Sequence, residues 1–279
     1  WYFALEAETI IASITDATIR RRLIKRLAKA RENSTSEGIF PKLVDTSDGL
    51  HVIKEQLPGI FHWKGHAPGE IHPDVKLATS RYRETLAPAH RMLLERYEVR
   101  DAALKVVGVG SVGTVCWIGL LMSGDGDPLF LQVKEARASV LEEYAGKSTY
   151  PNHGQRVVNG HRLMQPASDI FLGWAEGPRG RHFYVRQLRD VKIKFPVETF
   201  GAAQMFVMAQ SCGHTLALSH ARSGDPALIS GYLGKSDAFD KALAAFSVAY
   251  ADQNEIDHDA LKRAIRDGKV EAVFEEEAK

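Results

Sequence analysis

The stretch Gly108-Val-Gly-Ser-Val-Gly-Thr-Val115 sets three glycines at G-x-G-x-x-G spacing, directly after the β-branched run Lys105-Val-Val. Because glycine has no Cβ, such a stretch either lets backbone N–H groups approach a phosphate closely or permits a tight turn between strands. The residues that follow Gly113 are Thr-Val-Cys-Trp-Ile, a composition typical of a strand. The sequence therefore predicts a glycine-rich hairpin in the middle of the chain.

Three better-known glycine loops fit this stretch less well. A dinucleotide-binding loop opens a helix at its third glycine and is followed by an acidic residue about 20 positions on, whereas a strand-like run follows Gly113 and the next predicted strand ends in Lys134. A Walker-type loop needs a lysine before its Ser or Thr, and here Gly113 precedes Thr114 directly. A hydrolase nucleophile elbow needs glycine two positions before Ser111, where Val109 stands. A dinucleotide-dependent oxidoreductase stays as the weaker alternative.

The middle of the chain alternates strand-like runs with turn residues, which favours a small antiparallel sheet. Further predicted strands cover residues 114–118, 129–133, 170–174 and 182–188, and a predicted helix covers residues 152–165. The fold class expected is α+β.

The run Phe130-Leu-Gln-Val-Lys134 is similar to the third strand of a protein-kinase-like small lobe, in which a lysine reaches the α- and β-phosphates of ATP. Such a lysine needs a carboxylate on the following helix, for which Glu142 and Glu143 are available. We therefore expect ATP with Mg²⁺ as the cofactor. The expected binding residues are Gly108, Gly110, Ser111, Gly113, Lys134 and Glu143. The alternative is that the glycines only shape a turn and that Lys134 extends its ammonium group to solvent.

Helical segments flank this region, so three segments are predicted, at residues 1–98, 99–190 and 191–279. In the first, a basic helix begins near Asp16, a small hairpin is expected within residues 41–63, and a helix over residues 74–97 should kink or break at Pro88. In the last, residues 199–220 are apolar almost all round, which predicts a buried helix. Asp225 is a candidate catalytic aspartate, but no Asn stands five positions later, which favours a cap or turn residue.

The composition limits the classes of partner. The 36 basic and 35 acidic residues nearly cancel, so neither nucleic acid nor a membrane surface is expected as a partner. Only two cysteines occur, Cys116 and Cys212, and no run of about 20 apolar residues is present, which favours a cytoplasmic protein. His62, His66 and His72 could be drawn as a metal site, but their spacing is not that of a metal motif, and no metal ligand is predicted.

Several strings resemble a bacterial family known as domain of unknown function 2252 (DUF2252), over most of the chain. They are Val107-Gly-Val-Gly-Ser-Val-Gly-Thr114, Phe130-Leu-Gln-Val-Lys-Glu-Ala136, Gly154-Gln-Arg-Val-Val158, Ser168-Asp-Ile-Phe-Leu-Gly-Trp174, Phe183-Tyr-Val-Arg-Gln-Leu-Arg-Asp190, His220-Ala-Arg-Ser-Gly-Asp225 and Tyr250-Ala-Asp-Gln253.

The resemblance implies that the residues of a kinase-like catalytic loop, similar to that of aminoglycoside phosphotransferases, lie upstream of Trp1. The kinase parts would then be arranged in permuted order. Residues 1–5 look like the inside of an amphipathic helix, so we expect an N-terminally truncated chain without turnover of its own. The expected partners are a nucleotide and an unidentified phosphate acceptor. The rival hypothesis is a non-catalytic nucleotide sensor or scaffold, and the oligomeric state is left open.

Overall fold

A computed structural model of the chain describes residues 7–12, 14, 16–34, 36–46, 49–63, 70–108, 113–188, 195 and 197–272. The chain is an α+β protein, as predicted. Its internal contacts form two compact units, Trp1–Ser223 and Gly224–Lys279. This division does not test the three segments drawn from the sequence, which stay a prediction. Residues 1–5, where an amphipathic helix was expected, lie outside the described residues.

A six-stranded antiparallel sheet is the centre of the first unit, and it confirms the sheet expected from the middle of the chain. Its spatial order is β3-β4-β5-β6-β8-β7. The strands are β3 (Ile60–Phe61), β4 (Tyr97–Lys105), β5 (Cys116–Ser123), β6 (Pro128–Ala136), β7 (Gly173–Glu176) and β8 (His182–Gln187). A separate pair, β1 (Val44–Asp45) and β2 (Val52–Ile53), is also antiparallel.

Helices surround this sheet and make up the second unit. In the first unit they are α1 (Ala7–Ala12), α2 (Ala17–Ser34), α3 (Ser36–Leu43), α4 (Pro73–Glu84), α5 (Pro88–Leu94), α6 (Glu142–Ala145), α7 (His153–Met164) and α8 (Ala202–Ser223). The second unit contains α9 (Pro226–Leu233) and α10 (Ala238–Arg266).

The sheet has an apolar cluster on each face. On the first face, Ile118, Leu120 and Phe130 pack with Ile39 and Leu43 of α3. On the second face, helices α4 and α5 supply the covering residues, and the cluster consists of Tyr82, Leu86, Leu94, Leu121, Leu129, Leu131, Phe171, Ala175 and Val185. Because side chains alternate along a strand, β5 and β6 contribute to both clusters and form the buried middle of the sheet.

A buried tyrosine joins α4 to the far edge of the sheet. The hydroxyl of Tyr82 donates a hydrogen bond of 2.5 Å to the carbonyl oxygen of Phe171. Burial raises the pKa of Tyr82, since an apolar environment disfavours the phenolate. The bond satisfies both polar groups inside the second cluster and fixes the position of α4 over β7.

The prediction for residues 74–97 was only partly right. The helix breaks at Pro88, which begins α5 at a position where a missing N–H is tolerated. Tyr97, however, belongs to β4, and the strand expected at residues 105–107 ends at Lys105. Tyr97 and Val99 pack against the second cluster, so tertiary burial lengthened this strand toward its N-terminal side.

The small hairpin expected within residues 41–63 is present as the antiparallel pair of β1 and β2, while the later strand-like run, β3, pairs with β4. One further prediction needs correction. The helix predicted to be buried, α8, has no buried residue among those described, and Phe206 is 69% exposed. In the first unit, the main contacts of α8 are with α7, where the side chains of Ser219 and Arg222 donate hydrogen bonds to the carbonyl oxygen of Met164. The contact with α7 covers too little of α8 to bury its apolar side chains.

A buried carboxylate holds the β1–β2 pair against the sheet. Asp101 of β4, only 1% exposed, accepts hydrogen bonds from the backbone N–H of Ile53 (2.6 Å) and from Nε2 of His62 (2.9 Å). Nδ1 of His62 lies 3.1 Å from Oε1 of Glu55. The hydrogen bond to Asp101 raises the pKa of His62, and Glu55 adds to the shift. The carboxylate thus links β2, the end of β3 and β4.

We predict that His62 stabilises the fold at low rather than high pH. Its folded-state pKa lies above the unfolded value of about 6.5, so its contribution is complete below that pH and is lost as pH rises through the folded-state pKa. In urea titrations, the difference in free energy of unfolding between wild type and His62→Gln should shrink as pH rises above about 6.5, the unfolded-state pKa. A difference that grows with pH would contradict this assignment.

Helix α7 approaches β8 so closely that its second residue must be glycine. A Cβ on Gly154 would lie 2.1 Å from the carbonyl oxygen of Phe183, whereas a Cβ on Gly160 of the same helix would meet only the flexible end of Met164, at 3.8 Å. We expect Gly154→Ala to lower the free energy of unfolding by about 1–3 kcal/mol. Gly160→Ala, the matched control, should raise it by up to about 1 kcal/mol. Equal effects in urea denaturation would rule out the close approach.

Candidate functional site

The glycine-rich stretch connects β4 to β5, two neighbouring antiparallel strands. Gly108 and Gly113 lie at the two ends of this connection, and Gly110 and Ser111 lie outside the described residues. Gly113 has φ +76°, a conformation that favours glycine. The strand expected after Gly113 is present as β5, so the third glycine does not open a helix.

Two charged residues, Glu135 of β6 and Arg137 directly after it, form hydrogen bonds with the C-terminal end of the glycine connection. Arg137 donates a hydrogen bond of 2.5 Å to the carbonyl oxygen of Gly113. Glu135 accepts one of 2.9 Å from the backbone N–H of Val115 and also pairs with Arg137 at 3.1 Å. The bonds from Arg137 and Val115 favour ionised Glu135 and, against the opposing effect of burial, lower its pKa. The C-terminal end of the glycine connection is therefore held in place by β6.

Lys134 points from β6 to the first face of the sheet. In the strand register, Lys134 lies between Cys116 of β5 and Tyr184 of β8, and directly paired residues share a face. Two residues away, Gln132 lies opposite Arg186 of β8 and so projects to the same face. Lys105, at the end of β4, shares this face as well, because Ala103 two residues earlier pairs with Ile118. The fold brings three cations together beside the glycine connection.

These cations affect the pKa of Cys116, which is buried beside them. Burial raises the pKa of the Cys116 thiol, while Lys134, Lys105 and Arg186 oppose that shift because positive charge favours the thiolate. Lys105, Lys134 and Arg186 are each partly buried. Within the described residues, none of the three has a carboxylate partner within 4 Å. We call these three residues the cationic cluster.

A polar cleft of about 420 Å³ adjoins the cluster on the side of α7. Arg186 lies at its wall and donates hydrogen bonds of 3.3–3.4 Å to the side-chain oxygen of Gln132. His161 of α7 also lines the cleft, and its ring lies 6.3 Å from that of Tyr184. Burial lowers the pKa of His161, and the charge of Arg186 lowers it further. The cleft thus combines a guanidinium with a histidine that favours its neutral form.

Sequence reasoning missed Lys105, Arg186 and His161 as site residues. For Arg186 a signal was present, because Tyr184, Arg186 and Leu188 alternate along a predicted strand and must share one face. Only the order of the strands reveals that this face is also that of Lys134. For His161 the local sequence contains no such signal, because its position in the cleft depends on how α7 packs on β8.

The expected carboxylate residues lie elsewhere. Glu143 is exposed on α6, and no described contact joins it to Lys134, so that pairing stays a prediction. Asp225 is the N-cap of α9, where its carboxylate accepts hydrogen bonds from the N–H groups of Ala227 (2.8 Å) and Leu228 (3.1 Å). This is the capping role that the sequence favoured over catalysis.

The histidines considered for a metal have other partners. His62 bonds to Asp101 and Glu55, and His72 caps α4 by accepting the N–H of Asp74, while His66 lies outside the described residues. No group of three or more His, Cys, Asp or Glu side chains in the described part of the chain is arranged to hold a metal ion. Among the described helices, none has the length and apolar character needed to cross a membrane.

Comparison with known proteins gives one relationship. No curated protein and no solved structure matches the chain. A family model described as "Uncharacterized protein conserved in bacteria (DUF2252)" matches residues 1–264, which is nearly the whole chain. The resemblance noted in the glycine-rich and lysine-bearing strings is therefore confirmed, and the chain belongs to the DUF2252 family.

Proposed function

We propose that the first face of the sheet binds the phosphates of ATP with Mg²⁺, and that the full-length protein is a kinase-like phosphotransferase whose acceptor is unidentified. The observation that carries the proposal is the cationic cluster: Lys105, Lys134 and Arg186 are partly buried on one face, next to the glycine connection, without a described carboxylate partner. An anionic ligand is the natural counter-charge for such a set.

The energetics favour an anion at this place. Partly buried cations are unfavourable unless they are paired, and three on one face repel each other as well. Phosphate oxygens would offset both effects through charge-assisted hydrogen bonds with two ammonium groups and a guanidinium. The residues present therefore fit a polyphosphate. When bound, ATP would supply the transferable phosphoryl group, and Mg²⁺ would neutralise part of its charge.

The order of elements also supports this proposal. A hairpin with the glycine connection (β4–β5) is followed by a lysine-bearing strand (β6), a helix (α7) and two further strands (β7 and β8). This is the order expected of a kinase-like small lobe, with Lys134 in the place of the phosphate-binding lysine. The chain departs from that pattern in α7, which contains no carboxylate to pair with the lysine. On this face, Lys134 instead has Gln132 of β6 and Tyr184 of β8 as neighbouring uncharged polar residues.

A non-catalytic nucleotide sensor is the second candidate. It is favoured by one observation, that Asp225, the aspartate considered for catalysis, is engaged as a helix cap. Dinucleotide binding is less well supported, because β5 rather than a helix follows Gly113.

We predict that Lys134→Ala weakens Mg-ATP binding by about 10- to 100-fold, the effect of losing one charged hydrogen bond to phosphate. Calorimetric titration of Mg-ATP into the wild type and the variant measures this loss of affinity, and NADH serves as a control ligand. Lys76→Ala is the matched control, because Lys76 is an exposed lysine on α4, at the opposite face of the sheet, and its loss should leave ATP affinity unchanged.

The possible results discriminate between the candidates. ATP affinity that only Lys134→Ala loses would establish the phosphate site, and phosphoryl transfer by the full-length protein would then separate a kinase from a sensor. Folded protein that binds no ATP would reduce the glycine connection to a turn. Preference for NADH over ATP would favour the dinucleotide hypothesis.

His161 provides an independent readout of anion binding. In the free protein its pKa is below the usual value of about 6.5, because of burial and the nearby charge of Arg186. A bound phosphate would offset the charge of Arg186 and should therefore raise the pKa of His161. An NMR titration of the ring with and without Mg-ATP measures the shift, and Arg186→Gln should reduce it. An unchanged His161 titration at saturating ATP would place the nucleotide elsewhere.

A further inference from the structure

A second cavity, of about 400 Å³, lies on the opposite face of the sheet, between α4 and strands β4 to β8. Its walls are apolar, and the side chains that form them include Val75, Ala78, Trp117, Leu131 and Phe183. Both the volume and the apolar lining are in the range of small-molecule sites, which span about 300–1,000 Å³. The sheet separates it from the cationic cluster, because Leu131 alternates with Gln132 and Lys134 along β6.

Two indole rings form part of one wall of this cavity. Trp63 and Trp117 stack with ring centroids 6.1 Å apart and an interplanar angle of 15°. Both line the cavity, and Trp63 is 52% exposed. Broad aromatic surfaces that reach from solvent into an apolar cavity favour ligands with an apolar body.

Two arginines also line the cavity from the turn between β7 and β8. Arg179 and Arg181 are exposed, and neither forms an ion pair within 4 Å with another described residue. Arg181 acts on Glu135 only at longer range, and Glu135 is already paired with Arg137. The acidic lining residue, Asp74, lies 3.6 Å from Nδ1 of His72. Two guanidinium groups are therefore available to a ligand.

The backbone at Arg179 supports a role for this side chain beyond the turn itself. Arg179 has φ +59°, and no other described residue except glycines has a positive φ. This conformation is uncommon for a residue with a Cβ and is stable only where surrounding structure imposes it. A glycine would fit the turn with less strain, yet an arginine that lines the cavity occupies it.

We propose that this cavity binds a small amphipathic anion, with its apolar body between α4 and the sheet and its carboxylate, or an equivalent acidic head, at Arg179 and Arg181. The apolar walls and the stacked indoles match the body, and the two unpaired guanidinium groups match the head. The site is independent of the proposed ATP site, since the two use opposite faces of the sheet.

The test compares decanoate with decan-1-ol, which has the same chain length and no charge, by calorimetric titration into the whole chain. Decanoate should bind more tightly. Arg179→Asn combined with Arg181→Gln should weaken decanoate binding about tenfold and leave decan-1-ol unaffected. Asn is chosen at position 179 because it tolerates a positive φ better than most residues.

A second pair of variants tests whether the ligand occupies the cavity itself. Ala78→Phe fills the cavity from α4 and should abolish saturable decanoate binding. Ala89→Phe places the same side chain on an exposed position of α5 and should bind as the wild type does. Far-ultraviolet circular dichroism establishes that each variant is folded.

Three results would overturn the proposal. One is the absence of saturable decanoate binding to the folded wild type, and another is equal decanoate affinity in Ala78→Phe and Ala89→Phe. Equal affinity for decanoate and decan-1-ol, unchanged by the double arginine substitution, would remove the anionic head from the assignment. None of these comparisons involves ATP, so a negative result with decanoate would not count against the proposed phosphate site.

Discussion

Burial of β5 and β6 on both faces is the constraint on which the first unit depends. Ile118, Leu120 and Phe130 pack on one side, while Leu121 and Leu131 pack on the other. A strand covered on both faces must be apolar at nearly every position, and each polar exception has to find a partner. Gln132 is such an exception, and it accepts hydrogen bonds from Arg186 within the same face. The buried middle of β5 and β6 is thus apolar apart from Gln132, whose side chain is paired.

The separation of the two faces follows from the alternation of side chains along β6. Lys134 and Gln132 project toward α7, while Leu131 and Val133 project toward α4. One face therefore carries cations beside a glycine connection, and the other carries an apolar cavity lined by two tryptophans. A shift of one residue in the register of β6 would exchange these contents, so the pairing with β5 and β8 determines which side chains each face carries.

Buried charges fix the edges of this arrangement. Asp101 accepts hydrogen bonds from a backbone N–H of β2 and from the imidazole of His62 after β3. Glu135 accepts hydrogen bonds from the N–H of Val115, at the C-terminal end of the glycine connection, and from Arg137. Each carboxylate has several donors, which is the condition under which a buried charge is stable. The cationic cluster is different, because none of its members has a carboxylate within 4 Å among the described residues. That difference is why we propose the cluster, rather than Asp101 or Glu135, as the place where a ligand binds.

The sequence by itself determined the local features of this protein. Strand-like runs between turn residues predicted most strands of the sheet, residues 152–165 were predicted as the helix that is α7, and Pro88 predicted the break before α5, because each feature depends on neighbours within a few residues. Family membership was also readable from short strings. Only the tertiary structure decided that Tyr97 extends a strand, that α8 is not buried in the first unit, and that Arg186 and Lys105 join Lys134. These depend on which surfaces meet across some tens of residues of chain, and no local pattern encodes that pairing.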